Sequence, residues 1–171
     1  MAEIAYIGIG SNIDAMQNSV RCLDELAQDK RLNVLALSSL YLTSPISPVT
    51  QDDFLNCVVK ILWEGTVMEL LDHLQSIEGR MGRVRDVFLG PRTIDLDILF
   101  FDEITLDTPQ LVVPHPRLHQ RKFALVPCLE IDSGLIHPVL KRRLSDLLSS
   151  LGPDQEIDIY RKAPWWENRR A

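Results

Sequence analysis

Short β-rich runs alternate with amphipathic stretches along this chain. Ile4 to Ile9 is an apolar run ending at Gly10-Ser11-Asn12, which reads as a strand and then a turn. Asn12 or Asp14 can cap a helix over about 15–28, with Val20, Leu23, Leu26 and Ala27 on one face. From Asn33 to Thr43, Val34, Ala36, Ser38 and Leu40 alternate with Leu35, Leu37 and Ser39. This predicts one strand that stops at a loop marked by Pro45, Ser47 and Pro48. Phe54 to Trp63 is a second long strand. Thr66-Val67-Met68-Glu69 is a capping box, followed at helical spacing by Leu70, Leu71, Leu74 and Ile77; that helix should fade at Gly79 or Gly82. A polar loop over 82–92 leads to a strand from Ile94 to Phe101. Ile104 to Val113 reads as a hairpin or edge strand interrupted by Pro109. A helix over about 121–131 follows, and Leu140, Leu144, Leu147, Leu148 and Leu151 mark a last one.

The order β-α-β-β-α-β is the split pattern of ferredoxin-like α+β folds, here with additional C-terminal strands or helices. The hairpin-like pair 33–43 and 54–63 calls for an antiparallel sheet and not a doubly wound parallel one.

Composition narrows the class. At 171 residues, 46% hydrophobic and 25% charged, the chain suits one ordinary folded domain, which excludes disordered and collagen-like classes. It has no apolar run of about 20 residues and no basic segment followed by a signal core, so no membrane partner is expected. Cys22, Cys57 and Cys128 are scattered, as expected of reduced thiols in a cytoplasmic protein. The net charge of −6 disfavours a nucleic-acid partner. Charge is nevertheless uneven: residues 1–79 hold 4 Lys/Arg against 11 Asp/Glu, and residues 80–171 hold 14 against 13. Arg80, Arg83, Arg85 and Arg92 come in quick succession, which points to a site for a small anion. The bland alternative is that Arg80 and Arg85 pair with Glu78 and Asp86 on the surface.

The candidate chemistry centres on Asp95-Leu96-Asp97-Ile98. In a strand, side chains two apart share a face about 6.6 Å apart, so both carboxylates point one way while Leu96 and Ile98 face the core. Two like charges that close need a cation, and Mg²⁺ held by one or two carboxylates together with phosphates fits best. Guanidinium groups at 83, 85 and 92 complete a polyphosphate clamp. His115, held between Pro114 and Pro116, stands close to Arg117 and Arg121. Phe54 and Asn56 share one strand face, as an aromatic ring and an amide would to recognise a flat heterocycle. The dinucleotide fingerprint fails after Gly8-Ile9-Gly10, and Walker, protein-kinase, zinc-hydrolase and nucleophile-elbow motifs are missing. A sheet face carrying two aspartates also argues against RNA binding.

The run Gly90-Pro91-Arg92-Thr93-Ile94-Asp95-Leu96-Asp97-Ile98-Leu99 resembles the signature of the 6-hydroxymethyl-7,8-dihydropterin pyrophosphokinases of folate biosynthesis. Gly10-Ser11-Asn12, Thr43 through Pro48, Phe54-Leu55-Asn56, Gly82-Arg83-Val84-Arg85 and Val113-Pro114-His115-Pro116-Arg117 support it, in that family's order and spacing, over about residues 3–150. The resemblance implies a single pyrophosphokinase domain over 1–160 with a tail at 161–171. It implies transfer of diphosphate from ATP to the hydroxymethyl oxygen of the pterin, releasing AMP. Asp95 and Asp97 would bind two Mg²⁺ ions and, with Arg83 and Arg92, form the catalytic set. ATP would meet Glu78, Arg83, Arg85, Arg92, Ile98, His115 and Arg121. The pterin would stack between Phe54 and Phe123, its edge bonded by Asn56 and by the backbone near Thr43, Ser44 and Ile46. The chain departs from the family pattern at Phe88 and Leu89, in a loop one residue shorter, and at Phe54, often tyrosine in relatives.

Two readings are therefore carried forward: an ATP:pterin diphosphotransferase working as a cytoplasmic monomer, or a non-catalytic Mg-nucleotide and pterin-binding protein of the same fold. Pro164-Trp165-Trp166 is expected to dock back onto the domain, the other reading being contact with another folate-pathway enzyme.

Overall fold

A computed structural model of the chain describes residues 1–83 and 89–167. Alternation with period two organises β1 (Ala2–Ser11): Ala5, Ile7 and Ile9 are buried toward one layer of helices, and Tyr6 packs on the opposite side. α1 (Ala15–Gln28) follows, then β2 (Leu32–Leu37), β3 (Leu40–Thr43) and β4 (Phe54–Glu64). α2 (Val67–Arg80) starts on the expected capping box: the Thr66 hydroxyl accepts the Glu69 N–H, and the Glu69 carboxylate accepts the Thr66 N–H. β5 (Asp95–Phe101) completes the ferredoxin-like core. After it come the small pair β6 (Leu106–Asp107) and β7 (Val112–Val113), a 3-10 turn at Leu118–Gln120, α3 (Lys122–Ile131), α4 (Leu144–Ser149) and β8 (Ile157–Arg161).

The main sheet is antiparallel throughout, in the order β5-β1-β4-β3-β8, with β2 beside the same edge of β4 as β3. α1 and α2 cover one face, where Leu23, Leu26, Leu70, Leu74 and Ile77 meet Ile7, Ile9, Cys57, Ile61, Leu96 and Ile98. Each such side chain contributes roughly 1.5–3 kcal/mol by leaving water. α3 and α4 cover only part of the second face, packing Leu125, Cys128, Leu144 and Leu147 on Tyr6, Val58, Leu99 and Phe100. Among the described residues no helix is long and apolar enough to cross a membrane.

Several expectations need correction. The single strand over 33–43 is two strands, broken at Ser38-Ser39. There the Val58 N–H bonds to the Ser38 hydroxyl, and the three residues between Leu37 and Tyr41 oppose the two between Val59 and Asn56. Gly10 and Ser11 end β1 and do not turn. Asp14 takes the N-cap position in a left-handed conformation (φ 43°) and makes no side-chain cap bond; Asn12 is occupied elsewhere. On α1, Ser19 and Cys22 are buried and Ala27 is exposed. Leu140 lies exposed before α4. The surface pairing of Arg80 is with Glu25 of α1 at 3.1 Å, not with Glu78. Additional C-terminal elements were expected, but no strand was placed at β8. It adds an edge to β3 and runs on through Trp165, which is 5% exposed and donates to the Ser38 carbonyl, to Trp166, which donates to Asp24 of α1.

Candidate active site

The incomplete cover on the second sheet face leaves a cleft, and the strand registers decide what stands on its floor. Asp95 pairs with Gly10 and Asp97 with Gly8, so both carboxylates rise beside two residues without side chains. Leu96 and Ile98 are buried in the opposite core, as the alternation requires. Asn56 pairs with Gly10 from the other side. A Cβ at position 10 would lie 2.7 Å from Asn56 Oδ1, so glycine is what lets the amide lie across β1. Asn56 Nδ2 donates to Thr43 Oγ1 at 2.7 Å, both residues buried.

The cleft has two ends of different chemistry. Thr43, Ser44, Ile46, Phe54, Asn56 and Phe123 line one end; Arg92, Asp95, Asp97, His115 and Arg121 line the other. A second groove continues past the aspartates, walled by Glu78, Arg83 and Ile98. The structure thus brings together the described residues that the resemblance assigns to the site; Arg85 lies outside the described residues, and Arg80 stands apart, paired with Glu25. Arg83 bridges carboxylates: it pairs with Glu78, and its Nη2 lies 2.9 Å from Asp95 Oδ1. Glu78 therefore meets a guanidinium at the groove wall. The Ile98 side chain is 3% exposed and reaches the groove only at its edge.

His115 is held by hydrogen bonds at its backbone N–H and at its ring. Its N–H donates to the Leu99 carbonyl at 3.0 Å, and its Nδ1 accepts the Arg117 N–H at 3.1 Å, which leaves the proton of the neutral ring on Nε2. Nε2 stands 4.0 Å from Asp97 Oδ2. Burial, then the Arg121 charge, pull the imidazole down to about 4 against the opposing field of Asp95. At neutral pH it is an uncharged N–H donor. The Arg121 guanidinium lies 5.3 Å from the centre of the Phe123 ring, and burial draws it below its ordinary value while Asp97 opposes.

One positioning network is not predicted by the sequence pattern, in which Asn12 serves only as a turn residue, a helix cap and part of a supporting motif. Asn12 exchanges backbone and side-chain bonds with Arg92: its N–H donates to the Arg92 carbonyl at 3.1 Å and its Oδ1 accepts the Arg92 N–H at 2.8 Å. Its Nδ2 donates to Gln51 Oε1 and to the Asp52 carbonyl. Ser11 Oγ donates to the Thr93 carbonyl at 2.6 Å. Signals for it were the buried polar residues Ser11 and Asn12 at the end of an apolar strand, where unpaired polar groups are costly.

Comparison with known proteins gives the family of this chain. Residues 6–133 match the family model for 7,8-dihydro-6-hydroxymethylpterin-pyrophosphokinase. The chain is 44% identical over 132 residues to the 2-amino-4-hydroxy-6-hydroxymethyldihydropteridine pyrophosphokinase of Bacillus subtilis, covering 77% of this chain and 79% of that one. It is 38% identical over 151 residues to the enzyme of that name from Pseudomonas aeruginosa, covering 88% and 93%. The folic acid synthesis protein fol1 of Schizosaccharomyces pombe matches at 38% identity over 92% of this chain but only 22% of its own length. A crystal structure of wild-type HPPK-DHPS from Plasmodium falciparum with pteroate shares the fold at TM-score 0.70 and 16% identity, over 87% of this chain and 42% of that one. With the aspartate pair, the flanking arginines and the aromatic pocket all inside the matched segment, the chain belongs to the 7,8-dihydro-6-hydroxymethylpterin-pyrophosphokinase family.

Proposed function

We propose that this chain transfers diphosphate from ATP to the hydroxymethyl group of 6-hydroxymethyl-7,8-dihydropterin, releasing AMP in folate synthesis. The observation that carries the reading is one cleft whose aromatic, amide-lined end adjoins two carboxylates flanked by Arg92 and Arg121. Phe54 and Phe123 stack on the flat ring, and Asn56, oriented by Thr43, bonds its edge. Asp95 and Asp97 offer hard oxygen donors, each side chain more than a third exposed to the cleft. One or two carboxylates completed by substrate phosphates is the usual way a protein holds Mg²⁺. These two residues would hold two Mg²⁺ ions; bound there, the ions neutralise charge developing on the transferred group.

The protein's own groups position and balance charge. Arg92, set by Asn12, and Arg121 present guanidinium groups to phosphate oxygens, while His115 presents an uncharged N–H. Arg83 ties Asp95 to Glu78 and holds the first carboxylate in place. With the pterin oxygen held in line with the β-phosphorus, attack there breaks the α–β bridge, and most of the acceleration comes from orientation and electrostatics. Residues 1–160 form the transferase unit and 161–171 its tail. The unit works in the cytoplasm as a monomer. Relatives much longer than this chain support contact with other folate-pathway enzymes.

The test is AMP release with Mg-ATP in the presence and absence of the pterin. Pterin-dependent AMP is expected; nucleotide and pterin binding without AMP would leave a binding protein. Asp97→Ala should lower kcat/KM more than about 100-fold with an unchanged circular dichroism spectrum. Unchanged turnover would remove Asp97 from the metal site.

A further inference from the structure

Where β8 begins, the three consecutive residues Gln155 to Ile157 reach both walls of the heterocycle end of the cleft. Gln155 Oε1 accepts the Lys122 N–H at 2.8 Å, and Gln155 Nε2 donates to the Gln120 carbonyl at 2.8 Å. Glu156 Oε2 lies 3.4 Å from the Ser44 hydroxyl, and Ile157 pairs with Thr43 in the sheet. Lys122 opens α3, whose N-cap residue, Arg121, makes no side-chain cap bond. Gln155 supplies the missing acceptor from 33 residues away. The next residue after Lys122 is Phe123. A small cavity between Ile46, Phe123 and Gln155 separates the two walls, and this segment spans it. Residues 155–157 lie outside residues 6–133, which carry the family match.

We propose that Gln155 is a positioning residue: it fixes the width of the aromatic end of the cleft by clamping the Phe123 end of α3 to the strand that carries Thr43. The proposal rests on the reading of that end as the pterin site. A flat ring between Phe54 and Phe123 is sensitive to that width, because a radial gap of about 0.5–1 Å forfeits a quarter to a half of each contact. The triphosphate is held by several cations, so one shifted wall costs it little. Gln155 therefore acts chiefly on pterin binding, with a smaller effect on ATP through Arg121, which lies between Gln120 and Lys122.

Two variants of the full chain test this. In Gln155→Ala, KM for the pterin, and its Kd read from quenching of tryptophan fluorescence, should rise about tenfold, with KM for ATP within twofold. The Lys122 amide should exchange with solvent at least tenfold faster. Gln155→Glu still accepts the Lys122 N–H but cannot donate to Gln120, and should fall between the two. Pterin constants within twofold of the unaltered chain, or equal rises in both KM values, would overturn the proposal. If the unaltered chain neither binds the pterin nor makes AMP, the reading of the cleft fails and the proposal with it; that failure is recognisable because it appears before any substitution.

Discussion

A methyl group at position 10 would lie 2.7 Å from Asn56 Oδ1, whereas one at position 8 would meet Leu99 at an ordinary 3.5 Å. Two glycines of one strand, two residues apart, thus have different tasks. Gly10→Ala should push the Asn56 amide off β1 and break its 2.7 Å bond to Thr43. Pterin affinity measured by calorimetry should fall about tenfold, which is 1.4 kcal/mol, with stability changed by about 1–3 kcal/mol. Unaltered affinity would show that Asn56 does not touch the ligand. His115 makes a pH prediction. Its folded value of about 4 lies below the ordinary 6.5, so between those limits the unfolded chain binds more protons than the folded one. Its contribution to stability is complete above pH 6.5 and drains away as the pH falls toward 4. Urea denaturation at pH 7 and pH 5 should show the unaltered chain losing about 2 kcal/mol more than His115→Gln. Equal losses would mean that the imidazole titrates normally.

Among the elements, those built from local periodicity could be read in advance. α1 and α2 carry their apolar stripes and β5 its alternating aspartates, and all three formed within a residue of the expected bounds. The break between β2 and β3 could not be read so easily. The Ser38 hydroxyl accepts a ladder N–H that a neighbouring backbone carbonyl would otherwise take, and nothing in an alternating apolar run reports that exchange. Ser38→Ala should leave the buried Val58 N–H without an acceptor and lower unfolding stability by about 1–3 kcal/mol. A smaller change would mean that the backbone closes the gap itself. β8 was hidden for a related reason. It is five residues long, mostly exposed, and paired with a strand more than 110 residues earlier, so its stability comes from partners that no local window contains. The candidate site was more legible than the C-terminal edge because a charge pair on a strand face is costly unless something compensates it. Its supports, Asn12 and Gln155, were missed because each acts on the backbone of a distant segment.

At the scale of the whole molecule the sheet separates two tasks, and the C-terminal segment serves both. α1 and α2 seal one face into a core, and the other face is given partly to α3 and α4 and partly to the cleft. The last described residues begin on the cleft side at Gln155, pair along the edge of β3, and finish on the helix side. There Trp165 joins the core and donates to the Ser38 carbonyl at 2.9 Å. The two ends of this strap should therefore fail differently. Trp165→Ala empties a core position 5% exposed and should cost about 3–5 kcal/mol. Trp165→Phe keeps most of the volume and loses the bond to Ser38, for about 1–3 kcal/mol. Urea denaturation reads both. Because Trp165 packs on the side of the sheet away from the cleft, Trp165→Phe should keep both KM values within twofold, whereas a change at Gln155 moves the pterin constant. A Trp165→Phe protein as stable as the unaltered chain would show that the strap is laid over the core without holding it.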